Sequence, residues 1–191
     1  MIPHYLLTST FYGNWLPGDP RGFVSSVRDK RSDEAATNTR HEHDQYGTPY
    51  DKNMHGLYRS AFASMKGDVI TISQEQAEAL LKQFLETSSI RQWPILTLAI
   101  MRDHIHIVIQ VPDNADPEKV LGDIKAYGSR SLNRHWGKPA SDTWWTYGGS
   151  KRPKKDDAAI RNAIIYVLKQ ENPLVIWACD AVKAEYGHLI K

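Results

Sequence analysis

The sequence is poor in cysteine and in long apolar runs, and both absences limit what the protein can be. Its single cysteine, Cys179, excludes an internal disulfide and any zinc site built from several cysteines, so a metal ion here needs nitrogen and oxygen ligands. No apolar run reaches the roughly 18 residues of a membrane-spanning helix, and the N-terminus lacks a basic region followed by an apolar one. We therefore expect a cytoplasmic protein with no membrane partner.

An excess of charge of one sign is also lacking. The 24 lysines and arginines nearly balance the 22 acidic residues, and a net charge of +2 does not by itself indicate a nucleic-acid-binding protein. Cations nevertheless cluster in segments 124–138 and 149–155. Aromatic residues lie within the first segment and next to the second. This mixture suits single-stranded nucleic acid, whose bases can stack, although a solvated charged face is the alternative. The cations that we predict to contact DNA phosphates are Lys125, Arg130, Arg134, Lys151 and Arg152.

The order of the predicted elements indicates the fold class. A chain of 191 residues fits one domain, 1–191, and strands here alternate with helices around a central hairpin. We therefore predict an α+β fold with a ferredoxin-like antiparallel sheet and helices packed on it. Segment 69–73 fits either a short strand or the lead-in to a helix. The predicted elements are a strand at 4–12, a helix at 73–92, two strands within 93–112, a helix at 116–136, a strand at 142–150 and a helix at 156–170.

Two histidines separated by one residue lie in the strand segment DHIHIVIQVP, 103–112. Because alternate side chains of a strand leave on opposite faces, His104 and His106 share one face, with Cα atoms roughly 6.5 to 7 Å apart. That separation allows two ring nitrogens to bind one metal ion. It fits equally well two imidazoles that are hydrogen-bonded at a sheet surface, and a second such triplet, HEH at 41–43, lies in a polar stretch. The spacing alone leaves both interpretations open.

The last predicted helix carries a tyrosine outside its apolar stripe. Tyr166 falls well off this stripe on a helical projection, and Gln170 follows one turn later on the same side. A partly exposed boundary tyrosine is the alternative interpretation. The combination with the two strand histidines is more informative than either feature alone. The stripe comprises Ile160, Ala163, Ile164, Val167 and Leu168.

A histidine pair on a strand, followed about sixty residues later by a helix reading YVLKQENP, resembles the HUH single-tyrosine transposases, in particular the REP-associated tyrosine transposases. The resemblance extends over the order of the elements, from HYLLTSTFYGNWLPGDPRG through HIHIVIQVP, SRSLNRHWG and WTYGGSKR to the tyrosine helix. Residues 25–72 are poorly covered by it. We interpret them as a long insertion after the first strand of an HUH endonuclease core.

The resemblance implies a function and a role for each matching residue. It implies that His104 and His106 bind a divalent ion, Mg²⁺ or Mn²⁺, that Tyr166 is the nucleophile and that Gln170 completes the protein ligands. The implied activity is cleavage and strand transfer of single-stranded DNA at hairpin-associated sites through a 5′-phosphotyrosine intermediate, in DNA transposition or REP-element processing. The implied partner is single-stranded or hairpin DNA. Relatives occur as monomers and as dimers with composite sites, so a homodimer is one expected arrangement.

Three alternatives differ from this interpretation in class. A domesticated, non-transposing member would bind single-stranded nucleic acid without moving DNA, and loss of transposition alone would leave these four residues intact. A two-histidine phosphoesterase needs two H-x-[ST] motifs, and no histidine here is followed two residues later by serine or threonine. A small-ligand α+β protein would use the histidine pair structurally. Cleavage of a hairpin oligonucleotide with and without manganese separates these classes.

Overall fold

A computed structural model describes residues 2–19, 55–112 and 115–190. Within them the chain forms five strands and five helices, followed by a short 3-10 helix at Gly187–Leu189. The elements are β1 (His4–Thr10), α1 (His55–Ala63), α2 (Gln74–Arg91), β2 (Ile95–Ile100), β3 (His104–Gln110), α3 (Pro117–Trp136), β4 (Ser150–Lys154), α4 (Asp157–Leu168), β5 (Val175–Ala178) and α5 (Asp180–Tyr186).

The chain divides into two compact units. The first comprises Met1–Asn14 with Val69–Lys191 and contains the sheet; the second is Trp15–Asp68 and contains α1. Much of the predicted insertion, residues 25–54, lies outside the described residues together with the HEH triplet. The assignment of 1–191 to one domain stays a prediction. In the part of the chain that the structure describes, no helix is both long and apolar enough to cross a bilayer.

The five strands form one antiparallel sheet in the order β4-β1-β3-β2-β5. The first four strands have the 4-1-3-2 order of a ferredoxin-like sheet, and β5 extends it beside β2. Strands β2 and β3 are joined by a tight hairpin at 101–103, as the sequence predicts. The prediction of an α+β fold with an antiparallel sheet is therefore confirmed.

Helices α2, α3 and α4 begin where the sequence places capping residues. Ser73 and Gln76 form a capping box at the start of α2, and Asp116 caps α3, in which Pro117 is the first residue. The Asp156 side chain accepts a hydrogen bond from the Ala159 amide at the start of α4. These caps satisfy amides that would otherwise lack partners, which explains why these boundaries are predictable.

Each face of the sheet has its own apolar core. One face packs against α2 and α3 around Leu7, Ile105 and Ile107, whereas the other packs against α4 and α5 around Leu6 and Val108. The apolar stripe predicted for α4 is confirmed, since four of its five members are buried there and Ile160 packs against them. Because His104 and His106 alternate with these isoleucines, they lie on the face that α4 covers.

The strand predicted at 142–150 is wrong: the structure has a single bridge there, Phe11 to Trp145, and the strand begins at Ser150. The reason is that Trp144 and Trp145 enter the core beside α3 instead of lining a strand, and their indole nitrogens donate to Asn133 and to the Lys125 carbonyl. Segment 69–73 is the lead-in to α2, not a strand. Strand β5 and α5 were not predicted, although the apolar run LVIWA, 174–178, is a signal for β5.

Candidate active site

The two strand histidines and the helix tyrosine meet on the α4 face of the sheet. His106 lies opposite Thr8 of the neighbouring strand β1, and His104 lies opposite Thr10. Helix α4 crosses this face and brings Tyr166 to within 3.3 Å of His106, measured from the phenol oxygen to Nε2. The imidazole and phenol rings meet edge to face with their centres 5.1 Å apart. The structure therefore brings together three of the four residues that the resemblance implies.

A separate partner holds the outer nitrogen of each imidazole. His104 Nδ1 lies 2.6 Å from Asp103 Oδ1, and His106 Nδ1 lies 2.8 Å from the Thr8 hydroxyl. Both Nε2 atoms consequently face each other, 3.1 Å apart. An imidazole that is fixed through Nδ1 presents Nε2 in a defined direction, which is the arrangement that metal-binding histidines require.

Burial keeps the His106 imidazole neutral. Removal from water, the nearby His104 and the positive charge of Arg152 together lower the pKa of His106 to about 3, although Asp103 partly opposes them. A neutral imidazole retains a lone pair on one ring nitrogen, and only that form binds a metal ion. Near neutral pH, His106 therefore has the protonation state of a ligand.

Tyr166 is accessible, and the side chain of Gln170 lies against its backbone. Tyr166 is 47% exposed, which suits a nucleophile that a DNA strand must reach. Gln170 follows the end of α4, and its side-chain amide donates a 3.1 Å hydrogen bond to the Tyr166 backbone carbonyl. The structure thus places Gln170 beside the tyrosine, and its role as a metal ligand stays a prediction.

The spacing of the two Nε2 atoms fits a single divalent ion. Two nitrogen ligands that are each about 2.1 Å from one ion and at right angles lie about 3.0 Å apart, close to the observed separation of 3.1 Å. Among the residues that the structure describes, no cluster of three or more histidines, cysteines and carboxylates has a metal-binding arrangement. A donor set of two imidazoles and one amide oxygen would leave several positions of an octahedral ion to water and phosphate.

The five cations predicted to contact DNA fall into different environments. Arg152 lies opposite Leu6 in the sheet register and so on the face that α4 covers. The other four lie at or near α3, across the sheet. Lys125 donates to two backbone carbonyls, Lys151 pairs with Glu118, Arg130 lies over the Tyr127 ring, and Arg134 is exposed near the end of α3.

The sequence interpretation missed Thr8 as part of the site. A threonine in a strand gives no signal of its own, because β-branched residues are common in strands for packing reasons. Its relation to His106 depends on the pairing of β1 with β3 across 98 positions of sequence. Only the sheet register reveals it.

Comparisons with known proteins agree with the resemblance. A family model described as "Transposase IS200 like" matches residues 62–148, which include both histidines and end before Tyr166. The similarity to this transposase family, inferred from the sequence, is thus confirmed for that part of the chain. No curated protein matches the sequence.

Solved structures also match the fold. One is described as a REP-associated tyrosine transposase bound to a REP hairpin, with a TM-score of 0.46 and 8% identity. The alignment covers 87% of this chain and 64% of that one, so this chain spans a little under two thirds of the length of that relative.

Proposed function

We propose that the protein is a tyrosine-dependent endonuclease and strand transferase for single-stranded DNA, acting at hairpin-associated sites in DNA transposition or REP-element processing. The observation that supports this most directly is the 3.3 Å approach of the Tyr166 oxygen to His106 Nε2, beside a second imidazole nitrogen at 3.1 Å. The family match includes the histidine strand and ends before α4. The contact between Tyr166 and His106 is therefore a geometric observation that does not depend on that match. We place its activity in the cytoplasm.

The proposed reaction is an in-line displacement at phosphorus. The phenol oxygen of Tyr166 forms a new P–O bond while the bond from phosphorus to the 3′ oxygen of the upstream nucleotide breaks. The phenol proton is lost, and the departing 3′ oxygen gains a proton to become a hydroxyl. Tyr166 is then joined to the 5′ phosphate of the downstream fragment. Because the phosphate remains a diester, now with the tyrosine, a 3′ hydroxyl that arrives later can attack it and reverse the step.

His104, His106 and Gln170 would hold a divalent ion, Mg²⁺ or Mn²⁺, at this site. When bound, the ion supplies positive charge that neutralises a non-bridging phosphate oxygen and orients the scissile phosphorus. The imidazoles contribute Nε2, and Thr8 and Asp103 hold the rings in place. Two imidazole ligands favour manganese over magnesium.

The decisive experiment asks which end of the DNA remains on the protein. A pool of hairpin oligonucleotides with randomised single-stranded flanks is incubated with the protein and Mn²⁺ and then denatured. We expect a 3′ label to migrate with the protein and a 5′ label to be released on a shortened strand with a free 3′ hydroxyl. A nuclease that uses water would retain neither label.

Two tyrosine variants provide the matched comparison. Tyr166→Phe keeps the ring and removes the nucleophilic oxygen, so it should bind hairpins and form no adduct. Tyr5→Phe alters a tyrosine on β1 that packs on the opposite face of the sheet, and it should form the adduct normally. Binding by the unaltered protein without any adduct, across Mg²⁺ and Mn²⁺, would instead support the non-transposing binding protein.

A further inference from the structure

One tyrosine outside the candidate active site projects almost entirely into solvent. Tyr147 is 98% exposed, more than any other large hydrophobic residue described. It lies in the segment between the Phe11–Trp145 bridge and the start of β4. A single exposed aromatic residue on a mobile loop needs no explanation. One on a backbone that is held in place is a candidate for a binding role, so the contacts of the backbone around Tyr147 matter.

That backbone is held on both sides of the tyrosine. The ammonium group of Lys125, half-buried on α3, donates 2.7 Å hydrogen bonds to the carbonyls of Thr146 and Gly148, the two neighbours of Tyr147. Thr146 is itself anchored to β1, since its amide donates to the Thr10 carbonyl and its hydroxyl to the Phe11 carbonyl. Taking a lysine out of water costs free energy, and here two hydrogen bonds to backbone carbonyls offset that cost. The same hydrogen bonds hold the segment around Tyr147 in place.

The residues after Tyr147 lead directly into the edge strand of the sheet. Gly149 packs so closely on β1 that an added Cβ would lie 2.8 Å from the Thr8 carbonyl oxygen, and Ser150 pairs with Thr8. Tyr147 is thus three residues, at most about 10 Å of chain, from Ser150. Ser150 pairs with Thr8, and the Thr8 side chain contacts His106. The edge strand and the residue after it carry Lys151, Arg152, Lys154 and Lys155.

We propose that Tyr147 is a stacking platform for one nucleobase of single-stranded DNA whose backbone follows Arg152 and Lys154, the two cations of β4 that share one face of the sheet. This inference rests on the proposed function, because it takes single-stranded DNA as the ligand. A solvent-exposed ring on a backbone that is held in place, a few residues before Arg152 and Lys154, offers the two chemical features that such a strand needs, a partner for a π face and one for phosphate charge. Stacking selects an unpaired base without reading its sequence, so Tyr147 would hold a single-stranded flank and not the paired stem.

The test measures binding of an oligothymidine of about 20 nucleotides by fluorescence anisotropy at several KCl concentrations. Tyr147→Ala should weaken binding by about 5- to 100-fold, the loss expected for one stacked base. Because no charge changes, the slope of log Kd against log salt should stay that of the unaltered protein. Tyr147→Trp should bind at least as tightly as the unaltered protein, whereas Tyr147→Leu, which lacks a π face, should resemble Tyr147→Ala.

Photocrosslinking gives a second readout that does not depend on affinity. With 5-iodouracil in the oligonucleotide, the crosslinked peptide should contain Tyr147. If the unaltered protein prefers single strands over duplex and Tyr147→Ala binds as tightly as it does, the stacking role is wrong while the proposed function stands. If the unaltered protein shows no preference for single strands, the proposed function itself fails. Unchanged DNA binding with loss of self-association in Tyr147→Ala would assign the ring to a protein contact and overturn the inference.

Discussion

The Thr8 hydroxyl is a hydrogen-bond partner for the tautomer of His106 whose Nε2 is available for a ligand. A neutral imidazole carries one proton, and Nε2 offers a lone pair only when that proton lies on Nδ1. In that tautomer Nδ1–H donates a hydrogen bond to Thr8 Oγ1, which lies 2.8 Å away. Asp103 fixes His104 in the same way, and more strongly, because its carboxylate only accepts hydrogen bonds when ionised. Thr8 is therefore a positioning residue.

Replacing Thr8 with valine should weaken metal binding without unfolding the protein. Valine has nearly the same shape as threonine but cannot accept a hydrogen bond from Nδ1–H, so we expect Mn²⁺ affinity to fall by about 10- to 100-fold. Electron paramagnetic resonance of free Mn²⁺ measures this directly. Thr8→Ser should restore the affinity, since it keeps the hydroxyl. Thr10→Val is the matched control, because Thr10 pairs with His104, whose Nδ1 is already held by Asp103. An unaltered affinity in Thr8→Val would show that the hydroxyl plays no part.

Lys125 gives the protein a pH-dependent stability with a definite sign. Burial lowers the pKa of Lys125 to about 8 from 10.5, with Glu118 opposing and Lys151 adding to the effect. Between these two values the unfolded chain binds more protons than the folded one, so the free energy of unfolding rises with pH. Lys125→Met removes this contribution. The stability of the unaltered protein relative to Lys125→Met should therefore increase from about pH 8 to pH 10, measured by urea denaturation.

The same comparison has a clear opposing outcome. A stability difference that stays constant over that pH range would mean that burial does not change the pKa of Lys125 between the unfolded and the folded protein. Lys125 was predicted from sequence to contact DNA, and its hydrogen bonds to Thr146 and Gly148 explain why sequence cannot distinguish the two uses. The sequence pattern of a lysine in a basic segment is the same whether its ammonium group binds a phosphate or a backbone carbonyl.

At the scale of elements, Gly149 joins the Tyr147 segment to the sheet. Its φ is +147°, and an added Cβ would lie 2.6 Å from the Leu121 side chain and 2.8 Å from the Thr8 carbonyl oxygen. Because the second neighbour is backbone, β4 must move away from β1 to accept any side chain. We expect Gly149→Ala to lower the free energy of unfolding by about 2–4 kcal/mol, measured by urea denaturation.

A second glycine provides the control for that substitution. Gly122 lies on the exposed side of α3 with nothing within 4 Å of an added Cβ. Gly122→Ala should stabilise the protein by about 0.5–1 kcal/mol through helix propensity alone. If the two substitutions change the free energy of unfolding equally, the close approach at Gly149 does not contribute to stability.

The elements that sequence predicts well are those whose signals are local. Helix α4 is an example, since the Asp156 cap and the spacing of its apolar residues lie within one stretch of the chain. Strand β4 is the opposite case: Ser150–Lys154 contains three cations and a proline, and it is a strand because it pairs with β1 at the edge of the sheet. The candidate site divides in the same way. Its histidines and tyrosine carry spacing signals, whereas Thr8 depends on strand register.

At the scale of the whole molecule, the sheet separates the predicted cations into two sets. Arg152 lies on the face that α4 covers, close enough for its charge to lower the pKa of His106. Arg134 lies on α3, which packs against the opposite face. A DNA strand that reaches Tyr166 runs over the α4 face, so these two arginines should not contribute equally to binding.

The salt dependence of binding distinguishes the two faces. Each phosphate contact with a single strand contributes about 0.7 to the slope of log K against log salt, because neutralising the phosphate releases counterions. Arg152→Ala should therefore reduce the slope for oligothymidine by about 0.7 and weaken binding at low salt. Arg134→Ala removes the same charge and should leave the slope unchanged. A reduced slope in Arg134→Ala with none in Arg152→Ala would place the phosphate contacts on the α3 face and would contradict the proposed path of the DNA over the α4 face.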